Sequence, residues 1–296
     1  MPSAPTKIET LLARIESDER LDRLAETGST LLSKVIRPGR LKDVLSGTPL
    51  GHPAHPALVA VPIGSWLTAS LLDLTGADAA AARRAVAIGI VSALPTAVTG
   101  ASDWIDTEGG EKRVGLVHAA GNYTALGLQL ASWVARRRGQ RATGTALTLA
   151  ANTIAGAAGW LGGHLAYAMG VGVDTTAFQQ VPTEWTDTIA EADVPEVGLT
   201  VAEVFGVPVL LGRVQGRVVA LADRCTHRGA PLHEGEMRGD CVVCPWHDSV
   251  FGLVDGEVRK GPATRPQPRL DVEVRDGRVH VRRAEARSLR TNPAGV

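Results

Sequence analysis

Two short cysteine–histidine segments constrain this chain more than any other feature. One residue separates Cys225 from His227, and sixteen residues later two residues separate Cys244 from His247. Thiolates and neutral imidazoles are good ligands for transition metals, so the pattern predicts a metal centre held between two loops. Thiolates suit a ferric iron that stays oxidised, whereas imidazoles suit an iron that accepts an electron. Replacing two thiolate ligands by two histidines removes negative charge from the metal centre and raises its reduction potential.

The two segments resemble the ligand set of a Rieske [2Fe–2S] centre, with Cys225, Cys244, His227 and His247 as ligands. A structural zinc site is the alternative, but zinc modules usually place two cysteines in one pair and two histidines in the other. The resemblance implies an iron–sulfur cluster as the cofactor and a small β domain that carries it.

Residues after the second pair fit the same family. Ser249 stands two residues after His247, where a hydroxyl can donate a hydrogen bond to a cluster sulfur and tune its potential. The segment Gly261-Pro262-Ala263 resembles the proline loop that covers the cluster in this family. We therefore expect Ser249 to be a cluster-binding residue.

The absence of a second cysteine pair separates this chain from the respiratory branch of the family. In that branch a disulfide joins the two ligand loops, and the matching positions here are Ala230 and Trp246. The remaining cysteine, Cys241, has no evident mate. The domain thus resembles the ferredoxin-type Rieske modules that are associated with oxygenases.

Short alternating apolar runs surround the ligands. Residues 207–213 and 217–222 flank Gln215-Gly216, residues 250–254 and 257–260 flank Asp255-Gly256, and residues 270–275 and 278–281 flank Asp276-Gly277. X-Gly pairs between such runs are typical of β-hairpins. Residues 184–283 are therefore predicted to form a small antiparallel β domain with the ligand loops at one end.

The first half of the chain has a different composition. Four apolar segments, at about 56–75, 85–102, 115–134 and 144–171, approach or exceed the roughly twenty residues that span a bilayer. A soluble helical bundle would show a polar face on each helix, and these segments do not. The predicted fold class is α+β: a four-helix transmembrane bundle, multi-pass in the cell membrane and in contact with its lipids, followed by the small antiparallel β Rieske domain.

Residues 48–173 also resemble a bacterial four-helix membrane domain without an established function, which in some proteins is fused to a Rieske domain. The motifs are His52-Pro53-Ala54-His55-Pro56, Ser102-Asp103-Trp104, His118 and Gly162-Gly163-His164. Around this domain we predict an amphipathic helical arm at 1–47, a linker at 174–183 and a disordered tail at 284–296.

Histidines in the apolar segments are candidate redox ligands. Antiparallel helices would place His55, His118 and His164 near one membrane face, the face from which the chain continues to the cluster domain. Ionisable groups inside a membrane are costly and are therefore functional candidates. We hypothesise that these histidines bind a b-type haem or a metal. Interhelical hydrogen bonding with Asp103 as partner, or a quinone pocket without metal, are the alternatives.

Charge excludes one class of function and leaves the membrane orientation open. Thirty-one basic residues balance thirty-one acidic ones, so no nucleic-acid partner is indicated. Basic residues near the two membrane faces are equally numerous, so the positive-inside rule gives a tie. The missing export signal and the missing disulfide favour a cytoplasmic Rieske domain.

The remaining motifs favour an electron carrier over a complete enzyme. The sequence has no G-x-G-x-x-G nucleotide motif and no second domain with a 2-His-1-carboxylate iron pattern, so no catalytic residues are predicted. We predict a membrane-bound protein that carries single electrons between a membrane donor, a quinol or a haem, and a protein partner. A membrane-anchored ferredoxin for a separate oxygenase, or a redox sensor, are the alternatives.

Overall fold

The computed structural model describes residues 6–284, which divide into a helical unit and a β unit. The helical unit is Met1–Val173 and the β unit is Asp174–Val296. The described part of the helical unit contains seven α-helices: α1 (Lys7–Ser17), α2 (Asp22–Val35), α3 (Arg40–Ser46), α4 (Ala54–Leu74), α5 (Ala79–Ile105), α6 (Gly109–Arg137) and α7 (Arg141–Tyr167). From residue 285 on, the predicted disordered tail lies outside the described residues.

The four long helices α4 to α7 contain the four apolar segments, and each packs against two neighbours in a closed bundle. Asp78 caps α5 by accepting a hydrogen bond from the Ala80 amide. Two of the four, α4 and α5, are long and apolar enough to cross a membrane by length and composition. The other two differ from them in composition: α6 has charged residues at both ends, and α7 contains many small residues.

A buried ion pair lies inside the bundle. Arg136 of α6 donates two hydrogen bonds to Asp73 of α4, at 3.0 and 2.6 Å, and the two side chains are 3% and 1% exposed. Arg136 Nε also donates to Ser132 Oγ at 3.1 Å, and Ser132 contacts Thr148 of α7 at 2.8 Å. Polar side chains therefore connect three of the helices. Their hydrogen bonds satisfy polar groups that water would satisfy at a protein surface.

The N-terminal helices belong to the same compact unit as the bundle. The described helices of the predicted arm, α1 to α3, pack mainly against α5 and α6. Arg113 of α6 donates to both carboxylate oxygens of Asp22, at 2.6 and 2.7 Å. Lys42 of α3 is buried and lies 2.8 Å from Asp106. These ion pairs attach the arm to one end of the bundle.

Ten strands, all paired antiparallel, form the β unit over its described residues. They are β1 (Thr186–Ala190), β2 (Leu199–Val204), β3 (Val207–Val214), β4 (Arg217–Ala222), β5 (Glu236–Arg238), β6 (Cys241–Val243), β7 (Val250–Gly252), β8 (Val258–Lys260), β9 (Arg269–Arg275) and β10 (Arg278–Arg283). The order is β1-β10-β9-β4-β3-β2 in a six-stranded sheet and β5-β6-β7-β8 in a four-stranded sheet. The predicted antiparallel β domain is confirmed.

The hairpin turns follow the X-Gly pairs of the sequence. Gln215 and Asp276 adopt left-handed φ values of 52° and 50° and are followed by glycines in the same region, as tight hairpins require. The β2–β3 turn at Phe205-Gly206 has the same geometry, with φ values of 51° and 79°. The sequence did not predict this turn, because an aromatic residue with positive φ is uncommon.

Residues 174–183, the predicted linker, pack into the β unit. Val181 is buried in the apolar core between strands of the larger sheet, and the Arg283 amide donates to the Pro182 carbonyl. The polypeptide thus becomes part of the β unit about ten residues before the predicted domain start.

The buried pair Arg136–Asp73 predicts a large effect of one substitution. Arg136→Gln removes the two-bond partner of the buried Asp73 carboxylate and leaves it the 3.3 Å contact to Arg141 and a hydrogen bond from Thr145. Breaking a buried pair costs about 3–5 kcal/mol. We expect a clearly lower unfolding temperature of the purified protein in detergent, followed by circular dichroism.

Arg138→Gln is the matched control, because Arg138 is exposed at the end of the same helix. Its unfolding temperature should stay close to that of the parent protein. Equal unfolding temperatures for the two variants would contradict a stabilising role for the pair.

Candidate metal centre

The first ligand loop follows β4 and is closed by the backbone of Cys225. The Cys225 amide donates to the Ala230 carbonyl at 2.9 Å, and the Gly229 amide donates to the Cys225 carbonyl at 2.9 Å. Gly229 has a φ of 79°, and a side chain there would contact Arg224. A bridge between Arg224 and Pro231 closes the base of the loop.

The second ligand loop follows β6 and repeats this hydrogen-bond pattern. The Cys244 amide donates to the Ser249 carbonyl at 2.8 Å, and the Asp248 amide donates to the Cys244 carbonyl at 3.2 Å. Asp248 stands four residues after Cys244, as Gly229 stands four residues after Cys225, and its φ is also positive, at 58°. Aspartate tolerates this conformation better than most residues. The two loops are therefore equivalent turns, each built around a ligand cysteine.

Both cysteine side chains are buried and contact each other. Cys225 is 0% and Cys244 is 1% exposed. A hydrogen bond from the Cys225 thiol, together with the amides of Trp246 and His247, lowers the pKa of Cys244 to about 7. The same thiol contact and burial raise the pKa of Cys225, against the amides of His227 and Arg228. Each sulfur thus accepts hydrogen bonds from amides in its own loop, which stabilise a bound thiolate.

The two imidazoles form a separate pair. The rings of His227 and His247 lie with centroids 5.0 Å apart and planes at 87°, and both side chains are half-buried. Thiols therefore adjoin thiols, and imidazoles adjoin imidazoles. A single zinc ion would need all four donors around one point, whereas a [2Fe–2S] cluster needs two cysteines on one iron and two histidines on the other. The donor set fits the cluster.

Ser249 and the predicted covering loop lie against each other. Ser249 is fully buried, and its Oγ accepts a hydrogen bond from the Ala263 amide at 3.0 Å. The hydroxyl hydrogen is then available for a second bond. Gly261, Pro262 and Ala263 are all buried. The structure thus places Ser249 between the second ligand loop and this segment.

Gln267 holds the first ligand loop, and this role was not predicted from the sequence. Its side chain is 2% exposed. Its Nε2 donates to the carbonyls of Ala222 and Arg224, both at 2.6 Å, and its Oε1 accepts from the Thr226 amide at 3.2 Å. One amide side chain therefore joins the end of β4 to the residue between two ligands. Only the tertiary fold brings these positions together.

Thr175 is a second unpredicted contact of the first ligand loop. Its Oγ1 donates to the Cys225 carbonyl at 2.7 Å, and its amide donates to the Thr226 carbonyl at 3.3 Å. Asp174 accepts two hydrogen bonds from Thr176, at 2.9 and 2.7 Å, and so shapes the turn that presents Thr175. We call residues 174–176 the strap.

The structure brings two of the three candidate histidines of the helical unit together. The ring centroids of His55 and His118 are 6.5 Å apart. His164 instead lies with its Nε2 2.8 Å from Glu16 Oε1, and its ring stacks on Trp160. Asp103, which the alternative interpretation named as their partner, forms none of the hydrogen bonds of these histidines among the described residues.

Interhelical hydrogen bonds engage the paired imidazoles. His55 Nδ1 donates to the Thr96 carbonyl at 2.9 Å, and His118 Nδ1 donates to the Ala158 carbonyl at 2.7 Å. His118 Nε2 accepts from Asn122 Nδ2 at 3.2 Å. Both ring nitrogens of His118 are thus engaged. Binding of haem or metal by His55, His118 and His164 stays a prediction.

Comparison with known families matches both units. A family model described as Rieske [2Fe-2S] domain covers residues 184–278. A second, described as predicted membrane protein (DUF2231), covers residues 51–175. The first contains all four predicted ligands.

Curated relatives match the β unit. Ferredoxin CarAc of Metapseudomonas resinovorans is 35% identical over 98 residues, which are 33% of this chain and 92% of the relative. The ferredoxin component of the naphthalene 1,2-dioxygenase/salicylate 5-hydroxylase systems of Ralstonia sp is 28% identical over 95 residues, 32% of this chain and 91% of the relative.

Other matches are partial. The iron-sulfur subunit TsaM1 of the toluene-4-sulfonate monooxygenase system of Comamonas testosteroni is 47% identical over 68 residues, which cover 23% of this chain and 20% of that protein. A solved complex of reduced oxygenase and oxidized ferredoxin in carbazole 1,9a-dioxygenase aligns with 30% identity and a TM-score of 0.33, over 34% of this chain and 97% of that chain.

Through its β unit the chain belongs to the Rieske [2Fe–2S] family, and it combines this domain with a DUF2231 domain.

Proposed function

We propose that this protein is a membrane-anchored one-electron carrier that delivers electrons to a separate oxygenase-type protein. The observation that carries the proposal is the segregated donor set, with two buried thiols beside two half-buried imidazoles. A bound [2Fe–2S] cluster supplies reversible one-electron chemistry there, and its reducible iron is the histidine-bound one.

Burial determines where the electron leaves. The thiol side is closed, because Cys225 and Cys244 lie in an apolar cluster with Leu232 and Phe251. His227 and His247 are half-buried and so present ring edges at the surface. An electron partner can therefore approach the imidazoles more closely than the sulfurs, and the surface around the two histidines is the transfer surface.

The relatives support the nature of the acceptor. CarAc and the Ralstonia protein are named as ferredoxins, and the latter as a component of dioxygenase systems. The chain covers about nine-tenths of each, as their 92% and 91% shares show. A separate oxygenase component is thus the acceptor class that these similarities favour for the cluster domain.

The helical unit supports the anchor. Only 22% and 33% of the most apolar windows of α4 and α5 are buried, whereas the core helix of a soluble protein is mostly buried. Their outward side chains are large and apolar, as in Leu67, Leu71 and Val91, which are 51%, 62% and 67% exposed. We propose that all four long helices cross the cell membrane and that the β unit is cytoplasmic.

A second candidate function makes the helical unit a redox partner of the cluster. The approach of His55 and His118 within the bundle favours it. In this case a quinol or a haem in the helical unit would reduce the cluster. The hydrogen bonds of His118 support the anchor instead, because they give the imidazole a structural role.

Metal analysis and spectroscopy test the cofactor content. We expect two irons and two acid-labile sulfides per chain, the content of one [2Fe–2S] cluster, and a low-temperature paramagnetic signal of a mixed-ligand diiron pair after reduction. The anchor proposal predicts no Soret band. A Soret band that is lost in His118→Ala would support the second candidate, and a missing diiron signal would refute both.

Substitution of His118 separates the two candidates functionally. We expect His118→Ala to leave cluster reduction by a soluble reductase and reoxidation by a soluble acceptor within about twofold of the parent, since an anchor takes no part in transfer. Quinol-dependent reduction, measured in nanodiscs, should be absent in both proteins. If the parent shows quinol-dependent reduction and the variant does not, the second candidate holds.

Removing the Ser249 hydroxyl should lower the reduction potential. A hydrogen bond to a cluster sulfur stabilises the reduced, more negative state, and about 1 kcal/mol corresponds to about 40 mV for a one-electron couple. We expect Ser249→Ala to shift the midpoint downward by about this amount in a spectroscopic titration. Thr188→Val, which removes a hydroxyl bonded to the Val279 carbonyl in the other sheet, should leave the midpoint unchanged. An unshifted Ser249→Ala would exclude the hydrogen bond.

A further inference from the structure

We propose that the surface around the ligand histidines is a basic docking surface for a redox partner with an acidic, carboxylate-rich patch. The surface consists of Arg224, Trp246 and Arg265, and we call it the arginine rim. The inference rests on the proposed electron-carrier function and specifies the chemistry of the partner. It concerns residues that neither bind the metal nor shape the core.

Trp246 supplies the apolar part of this surface. It lies between Cys244 and His247 in sequence, it is 56% exposed, and its ring meets the His247 ring edge-on with centroids 6.5 Å apart. More than half of this large indole thus stays in solvent, where a partner can contact it. Tryptophan and arginine are the residues most enriched among those that dominate protein–protein binding energy.

Two exposed arginines belong to segments whose backbone is bonded to the first ligand loop. The Arg224 carbonyl accepts from Gln267 Nε2 at 2.6 Å, and the Arg265 carbonyl accepts from Thr226 Oγ1 at 2.9 Å. Both residues are exposed. Their backbones are thus fixed to the residues that hold the ligand loop, and their charged side chains extend from these fixed positions into solvent.

Arg224 and Arg265 carry charges that no carboxylate balances. Within residues 6–284, neither forms an ion pair with a carboxylate. Seven other arginines of the β unit do: Arg213, Arg238, Arg259, Arg269, Arg275, Arg278 and Arg282. Most arginines of the sheets are therefore neutralised, whereas Arg224 and Arg265 keep their charge in segments that contact the first ligand loop.

The ligand loops carry few opposing charges. Residues 224–230, 244–249 and 261–266 contain three arginines and one carboxylate, Asp248. The pKa of Arg238 in β5 is raised mainly by its hydrogen bond to Glu236, and the charge of Asp248 adds to this effect. A cluster of one sign at a transfer surface raises the local concentration of partners of the opposite sign and speeds their approach. A carboxylate-rich partner is the complement of this rim.

The test compares soluble electron acceptors of opposite charge. The full-length protein in detergent is reduced, and its reoxidation is followed by stopped flow with ferricyanide, an anion, and with tris(phenanthroline)cobalt(III), a cation. One electron leaves the protein for each acceptor molecule reduced. We expect the ferricyanide rate constant to fall about tenfold between low and physiological ionic strength and that of the cation to rise.

The double variant Arg224→Gln/Arg265→Gln should lose most of this salt dependence. Arg217→Gln is the matched control, because Arg217 is also exposed and unpaired among the described residues but lies at the other end of β4. Six strand residues place it roughly 17–20 Å from the loop. It should keep the salt dependence of the parent. The visible spectrum and midpoint of each variant verify an intact cluster.

A binding measurement without electron transfer completes the test. Calorimetry at low salt should show that an acidic blue-copper protein binds the parent and the Arg217→Gln variant at least fivefold more tightly than the double variant, and that a basic c-type cytochrome does not bind. Two results would overturn the inference. One is an equal salt dependence of reoxidation in the parent and the double variant, and the other is an equal affinity of the acidic copper protein for these two proteins. If no cluster signal is found, the proposed function fails, while the binding result still decides the nature of the rim.

Discussion

Separation of two thiols from two imidazoles is the constraint on which the rest of the β unit depends. Two turns of the same construction, each closed by the amide and carbonyl of its own cysteine, hold the donors. Amides of the same turns point to the sulfurs. The sheets, the covering segment and Gln267 then fix one turn against the other. The sulfurs are buried whereas the two histidines are only half-buried, so the imidazole side of the site is the more accessible one.

In the helical unit, charged side chains within or against the apolar bundle are paired with side chains of opposite charge. Asp73 with Arg136, Lys42 with Asp106, and Asp22 with Arg113 form ion pairs between separate segments. Several of these basic residues entered the charge comparison between membrane faces. A basic residue whose charge is neutralised by a carboxylate inside the protein is a poor guide to membrane orientation.

The sequence predicted most of the cluster site and little of its support. The four ligand positions, Ser249 and the hairpins at Gln215 and Asp276 were predicted from residues that lie close together in the sequence, so a short segment carries the whole signal. Gln267 and Thr175 could not be found in this way, because each acts on a loop more than forty residues away, as the separations of 41 and 50 residues show. The same limit applies to the histidines of the bundle, whose partners are backbone carbonyls of other helices.

The strap has a consequence for how the two families were joined. Thr175 lies ahead of residue 184, where the Rieske match begins, and at the very end of the DUF2231 match at residue 175. Yet its hydroxyl supports the carbonyl of a cluster ligand. The segment between the two family matches is therefore no neutral spacer: a cluster domain cut at residue 184 would lack Thr175 and the two hydrogen bonds that it gives to the first ligand loop.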